Sequence, residues 1–207
     1  MKVFAGFSNE VVVLTSDKKV AVEAMARHHI VAIKLFDSEY EAYCVLVRNL
    51  IITYGLGTAI PKFEDLMTYG IAEYTEKIPP QVWGYHQRFF AIVSNVGSAI
   101  ATNVQFVFEF LSAYENRASY IEIREFRTQD EANRWRNCMY VQLIAPFLPY
   151  FCGTYPIISR AELNTTTAIV DYKKVLEEQR SNIPEKLFQA YTMPSIESVN
   201  LLPNLLE

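Results

Sequence analysis

The chain has 207 residues, of which 51% are hydrophobic and 20% are charged. This length allows one ordinary domain or two small ones with a shared core, and the apolar content excludes a disordered acidic protein. The formal net charge of -4 excludes the overall basic balance that is typical of nucleic-acid-binding proteins, so such a function would depend on local clusters of basic residues.

The first half of the chain predicts two strands, a helix, a third strand and a second helix. Aromatic and β-branched residues around a polar turn indicate a hairpin in "KVFAGF" and "VVVLT". Ser16 or Asp17 is expected to cap the helix "SDKKVAVEAMARHH" by accepting a backbone N–H. The third strand, "IVAIKLF", leads to Asp37 or Ser38, which has the capping-box spacing to a later Glu and so predicts a new helix.

The second half predicts the same elements in the same order. "RFFAIV" and "AIAT" form the hairpin, Thr102 or Asn103 caps the helix, "SYIEIREF" is the third strand, and Thr128 begins the last helix. Val3 to Ala42 aligns with Phe89 to Ala132, so that "KLFDSEYEA" lies on "REFRTQDEA". Similarity of this kind predicts an internal repeat, with four extra residues in the second copy between Asn103 and Ala118.

The segments outside the two copies predict a linker and a tail. "KFEDLMTYGIAEYTEK" is expected to form a short helix that ends before Pro79 and Pro80, and "DYKKVLEEQR" a later helix. From about Ser181 we expect a loosely ordered tail or one that docks on a protein partner. The fold class is therefore α+β, with two tandem repeats of a small three-stranded antiparallel sheet packed on helices, divided as 1–61, 62–87 (helical linker), 88–157 and 158–207 (C-terminal helix and tail).

The cysteines and the apolar stretches indicate the cellular compartment of the protein. Cys44, Cys138 and Cys152 are odd in number and form no Cys-x-x-Cys pair, so neither a disulfide framework nor a zinc site is indicated. The most apolar stretch, "YVQLIAPFLPYFCG", is shorter than the roughly 20 residues that span a bilayer. These patterns predict a cytoplasmic protein without membrane insertion, metal or other cofactor.

The order of residues in one copy resembles a known family. "FFAIVSNVGSAIAT" followed by "YIEIREFRTQDEA" is similar to the modules at the N-terminus of eukaryotic ribonuclease H and in the viroplasmin proteins of plant pararetroviruses, and the first copy resembles a more diverged example. Shared features are the aromatic first strand, a basic residue two positions before a Phe, and a following Glu-Ala pair. The family's stacking Trp falls near Ser16 and near Thr102 or Asn103, where this chain has no aromatic residue. The resemblance implies binding of RNA or RNA:DNA hybrid through the backbone, in a viral setting.

Basic residues of the two copies are the candidate contacts with phosphate, because guanidinium and ammonium groups suit that anion. Lys34 and Arg124 hold equivalent positions in the third strands, where they alternate with apolar neighbours and so point away from them. Charges that protect a sheet edge from aggregation are the alternative explanation for these two. The full candidate set is Lys18, Lys19, Lys34, Arg88, Arg117, Arg124, Arg127 and Arg134.

Catalytic and metal-binding motifs are not found in the sequence. It has no G-x-S-x-G, P-loop or H-E-x-x-H pattern, and the adjacent His28 and His29 point about 100° apart on a helix, which is unsuitable for one metal ion. We therefore expect a non-catalytic RNA-binding protein. The alternative is a scaffold for protein–protein interaction whose modules have the fold without the nucleic-acid binding.

Overall fold

The computed structural model describes residues 1–8, 10–30, 32–55, 60–73, 88–144, 170–171, 177–178 and 180–192. Its strands are β1 Val3–Phe7, β2 Val11–Thr15, β3 Ala32–Phe36, β4 Ile71–Glu73, β5 Phe89–Ser94, β6 Gly97–Ala101, β7 Ile121–Phe126 and β8 Val170–Asp171. Its α-helices are α1 Lys18–Arg27, α2 Glu39–Tyr54, α3 Phe63–Tyr69, α4 Val104–Tyr114, α5 Gln129–Ile144 and α6 Glu185–Thr192, and a 3₁₀ turn covers Arg180–Asn182.

The described strands form one antiparallel sheet in the order β4-β2-β1-β3-β7-β5-β6-β8. In the first half, β1 lies between β2 and β3, and in the second half β5 lies between β6 and β7. The halves join where β3 pairs with β7, with Ile33 opposite Ile123. The protein is thus α+β, but the expected small sheets are continuous, because the outer edge of β3 is completed by β7.

The strand registers of the two halves correspond closely. Phe4 pairs with Thr15 in the first hairpin, and Phe90 pairs with Ala101 in the second. Val3 pairs with Phe36 across β1 and β3, as Phe89 pairs with Phe126 across β5 and β7. The half-to-half offset changes from 86 to 90 residues between the hairpin and the third strand, since α4 and its following turn are longer than α1 and its turn.

Local capping explains where four of the helices begin. The side chains of Asp17 and Asn103 accept hydrogen bonds from the backbone N–H of Lys19 and Phe106, which confirms these two as N-caps. The Ser38 hydroxyl accepts from Glu41 N at 3.3 Å. Thr128 and Glu131 form the reciprocal bonds of a capping box, each at 3.2 Å.

Helices cover both faces of the sheet. On one face α1 and α4 lie side by side over a core that runs through both halves and includes Phe4, Ile33, Phe90 and Ile123. On the opposite face, α2 and α3 cover β1 and β2, while α5 covers β5 and β6. We call this the α2/α5 face. On this face α2 packs mainly on β1 and α5 packs mainly on β5, and the strands β3 and β7 lie between them. The middle of the sheet is therefore accessible to solvent on this face.

The predicted linker helix is shorter than expected. It ends at Gly70, which has a left-handed φ of 74°, and Ile71–Glu73 then pairs with β2 as an edge strand. A helix could not continue through this glycine conformation, and β2 offered an unpaired edge. Residues 74–87, including Pro79 and Pro80, lie outside the described part of the chain.

The C-terminal prediction is also revised. Most of "DYKKVLEEQR" lies outside the described residues, although its first residue, Asp171, belongs to β8. Beyond Ser181, the helix α6 is present, and both Ile183 and Phe188 are buried. The sequence predicted a loosely ordered or docking tail from about Ser181, whereas the described residues after it include a helix and two buried apolar side chains. None of the described helices combines the length and the apolar character needed to cross a lipid bilayer.

Candidate nucleic-acid interface

Lys34 and Arg124 come together at the centre of the sheet. Lys34 is the cross-strand partner of Ala5, which packs under α2, and Arg124 is the partner of Ala91, which packs under α5. Directly paired residues of antiparallel strands project to the same face. Both cations therefore lie on the α2/α5 face, on neighbouring strands of the β3–β7 junction.

A single buried carboxylate joins the two cations. Glu122 accepts from Arg124 Nε at 2.6 Å through one oxygen, and its other oxygen lies 3.1 Å from Lys34 Nζ. The Tyr120 hydroxyl donates to this second oxygen at 2.5 Å. The side chain of Glu122 is only 1% exposed, whereas those of Lys34 and Arg124 are 39% and 43% exposed. We call Lys34, Tyr120, Glu122 and Arg124 the central cluster.

The charge of the central cluster is set by Glu122. Burial by itself raises the pKa of this carboxyl, but the positive charges of Lys34 and Arg124 and the hydrogen bonds from Tyr120 and Arg124 together outweigh it and hold the pKa below its ordinary value of 4.5. Glu122 is therefore ionised at neutral pH. With two cations and one carboxylate, the cluster has one net positive charge facing the solvent-accessible side of the sheet.

Two aromatic side chains support Arg124. Its guanidinium carbon lies 5.2 Å from the ring centroid of Trp135, and Trp135 lies 5.8 Å from Phe126. Arginine stacks on aromatic faces in this way, and the contact restricts the orientation of the guanidinium fork. The aromatic support of Arg124 therefore comes partly from β7 and partly from α5.

A shallow recess adjoins the cluster on the side of the first half. It is lined by Ala32 and Lys34 of β3, by the backbone of Gly6 in β1 and by Asn49 of α2. Ala32 is the cross-strand partner of Arg124, as Glu122 is the partner of Lys34. An anion above Ala32 would therefore have a cationic side chain on each side of it.

Arg88 has intramolecular partners instead of a place in this interface. Its guanidinium makes two hydrogen bonds of 2.7 Å to Glu125 and donates to the carbonyl oxygens of Met25, Ala26 and His28 at 2.6, 3.3 and 3.0 Å. These carbonyls belong to the last turn of α1 and its C-cap, where backbone acceptors have no helical donor. Arg88 thus joins the second half of the chain to the end of α1, a role that the sequence did not indicate.

Lys18, Lys19 and Arg117 lie near the contact of α1 with α4, on the other face of the sheet. Lys18 Nζ pairs with Glu115 at 2.5 Å, and the Arg117 guanidinium lies 5.5 Å from the Tyr114 ring. Lys19 and Arg117 are exposed. The predicted set of basic residues is therefore divided between two faces and does not form one continuous surface.

Arg127 and Arg134 are exposed residues on the α5 side of the sheet. Arg127 follows β7 directly, and Arg134 Nε donates to Asp130 O at 3.3 Å within α5. They are the predicted candidates that lie nearest in sequence to Arg124 and Trp135.

The adjacent histidines each have an acidic partner of their own. His28 Nδ1 lies 2.8 Å from Glu10, and His29 Nδ1 lies 2.9 Å from Glu125. Within the described ranges, no three His, Cys, Asp or Glu side chains come together as metal ligands. These histidines thus form separate pairs after the end of α1, His28 with an exposed carboxylate and His29 with a buried one.

The outer side of α2 is apolar. Tyr40 and Ile52 are each 70% exposed, and with Cys44, Val47 and Ile51 they line a groove of about 380 Å³ that also contains Arg48. We call these side chains the α2 surface. Exposed apolar groups that adjoin one another are typical of protein contacts, whereas isolated ones are not.

Comparison with known proteins gave no match: no protein-family model, curated protein or solved structure is similar to the chain.

Proposed function

We propose that the protein binds RNA without catalysis, through contacts of the central cluster with the phosphate backbone. The observation that carries this proposal is the position of Lys34 and Arg124, which lie on adjacent strands, on one solvent-accessible face, with one carboxylate between two cations. A net positive site inside a protein of net charge -4 is a local feature and not a consequence of composition.

The chemistry of the two cations suits a backbone ligand. Arg124 presents a planar fork held by Trp135, and Lys34 presents a compact charge on a flexible stem, and both groups suit the oxygens of a phosphate. Backbone contacts position a nucleic acid without reading its sequence. We therefore expect binding that depends on salt and little on RNA sequence, for single-stranded, duplex or hybrid forms.

We further propose that the two halves are copies of one module related to the hybrid-binding modules of ribonuclease H and viroplasmin. The common element order and the common registers of the two halves support this. In that case the central cluster is a single composite site to which each copy contributes its equivalent base. Each chain then has one such site, which the two modules share.

The test is a titration of the chain with fluorescent single-stranded RNA, duplex RNA, RNA:DNA hybrid and DNA at several salt concentrations. For wild type we expect log affinity to fall linearly with log salt, by about 0.7 to 0.9 for each phosphate contact. Lys34→Ala and Arg124→Ala should each reduce that slope by about one unit. Because the two residues share one site, the double variant should lose little more than the stronger single variant.

Arg27→Ala is the matched control. It removes one positive charge from an exposed residue of α1 that pairs only loosely with Glu23, at 3.8 Å, on the other face. It should leave the slope unchanged. Equal losses from Arg27→Ala and Arg124→Ala would show a non-specific charge effect, and an absence of salt-dependent binding by wild type would refute the proposal.

The apolar α2 surface favours a second candidate function, a scaffold for protein–protein interaction. Tyr40, Cys44, Val47 and Ile51 follow the spacing of one helix face and are accessible in the described chain. This candidate predicts self-association through α2, measured by sedimentation velocity, that Ile52→Asp abolishes. A monomeric wild type at high concentration would count against it.

A further inference from the structure

The β3–β7 junction has nearly the same surroundings for Lys34 and Arg124, with one difference. Around the central pair of Ile33 and Ile123, Lys34 corresponds to Arg124 and Ala32 corresponds to Glu122. Each cation therefore faces a cross-strand partner, but Lys34 faces a carboxylate and Arg124 faces a methyl group. The charge of the junction is unequal on its two sides.

We infer that Glu122 is a built-in counter-ion that restricts the central cluster to one singly charged phosphodiester, held over Ala32 between Arg124 and Lys34. The inference rests on the proposed function and specifies its ligand. Glu122 neutralises one of the two positive charges, and the remaining positive charge matches the single negative charge of one phosphate in a nucleic-acid backbone. A doubly charged phosphomonoester would bring a second negative charge towards Glu122.

The surroundings of Glu122 prevent it from moving away when a ligand arrives. Its side chain is almost fully buried, and the Tyr120 hydroxyl and Arg124 Nε hold its two oxygens from different sides. The carboxylate therefore stays near the cations in the free and the bound protein. It competes with a phosphate for Arg124 and Lys34 in both states.

The space for the phosphate lies above Ala32, on the side of the junction away from Glu122. The recess beside Lys34 is lined by Ala32, whose small side chain leaves it open, and by Asn49, whose side-chain amide can donate a further hydrogen bond. A larger or acidic residue at position 32 would fill this recess. The difference between Ala32 and Glu122 thus decides where the ligand lies.

Three variants test the inference through RNA affinity, salt slope and displacement of RNA by inorganic phosphate. Glu122→Gln removes the counter-ion and keeps the shape, so we expect binding about three- to tenfold tighter, which is the size of the Coulomb repulsion between a carboxylate and a phosphate about 6 Å apart in a solvent-accessible site. Inorganic phosphate should also displace RNA from this variant at a lower concentration than from wild type. Ala32→Glu should weaken RNA binding by a similar factor, while Ala32→Gln, which has the same shape without the charge, is its control.

The outcomes separate this inference from the proposed function. If wild type shows no salt-dependent RNA binding, the proposed function fails and the inference fails with it. If wild type binds, but a folded Glu122→Gln binds RNA no more tightly, the inference alone is refuted. If thermal unfolding shows that Glu122→Gln does not fold, the RNA affinities of Ala32→Glu and Ala32→Gln are compared instead. Equal affinities of these two variants would overturn the inference.

Discussion

Replacement of Arg88 by Met should destabilise the protein without weakening RNA binding. Methionine keeps much of the side-chain volume but removes the bonds to Glu125 and to the carbonyls of the α1 C-terminus. The Glu125 side chain is 5% exposed, so the substitution removes the arginine partner of a buried carboxylate, which keeps its contact with His29.

The expected magnitude follows from these contacts. Removing one partner of a fully buried ion pair costs about 3–5 kcal/mol, and a hydrogen bond to a charged group contributes about 1.5–3 kcal/mol. Because Arg88 is partly exposed, water can replace some of the lost donors to Met25, Ala26 and His28. We therefore expect a loss of about 2–4 kcal/mol in the free energy of unfolding, measured by urea denaturation.

A double-mutant cycle with Glu125→Gln tests the assignment. If Arg88 acts through Glu125, the double variant Arg88→Met/Glu125→Gln should be more stable than the sum of the single losses predicts, by at least about 1 kcal/mol. Arg88→Lys should be intermediate, since it keeps the charge and loses the fork. Additive losses, or a cost below about 0.5 kcal/mol for Arg88→Met, would refute this reasoning. A salt slope reduced by one unit would instead return Arg88 to the RNA contacts.

Three further predictions concern stability. Because the pKa of Glu122 is lowered, its ionised form stabilises the folded state above about pH 4.5, and this contribution is lost as pH falls through the folded-state pKa. The difference in melting temperature between wild type and Glu122→Gln should therefore be largest at neutral pH and smaller in acid. A difference that does not depend on pH would contradict this prediction. Gly6→Ala should cost about 1–3 kcal/mol in urea unfolding, because the added Cβ would lie 2.5 Å from Ala32 O, whereas Ala5→Gly would not crowd this strand pair and serves as a contrast without the clash. Phe188→Ala should cost about 3–5 kcal/mol because the side chain is only 4% exposed, and a cost below 1 kcal/mol would show that α6 is not part of the folded core.

Local features of the fold were predictable from the sequence. The caps at Asp17, Ser38, Asn103 and Thr128 depend on side chains that bond to backbone groups within a few residues, so spacing places each cap at one of one or two adjacent residues. The core positions of Phe4 and Phe90 followed from their equivalence in the alignment, and both are buried.

Contacts between distant segments could not be predicted in this way. Nothing in β3 or β7 alone indicates that they pair with each other, because an open strand edge has no sequence signature for its partner. The alternation in "YIEIREF" places Glu122 and Arg124 on one face, but it does not reveal that Lys34 shares the carboxylate. The partners of Arg88 could not be predicted for the same reason, since its acceptors include backbone carbonyls about sixty residues earlier, at Met25 and His28.

The join between β3 and β7 has a consequence for how this sheet can vary. If two identical chains were joined symmetrically at this edge, the positions equivalent to 32 and 122 would hold the same residue. A Glu that faces the cation of one chain would then require a Glu that faces the cation of the other chain. Covalent continuity removes that constraint. Here the two positions hold Ala32 and Glu122, a combination that requires two separately encoded strands. Unequal mutation of the two halves can therefore adjust the polarity of the junction in steps of one charge, which an assembly of identical subunits cannot do.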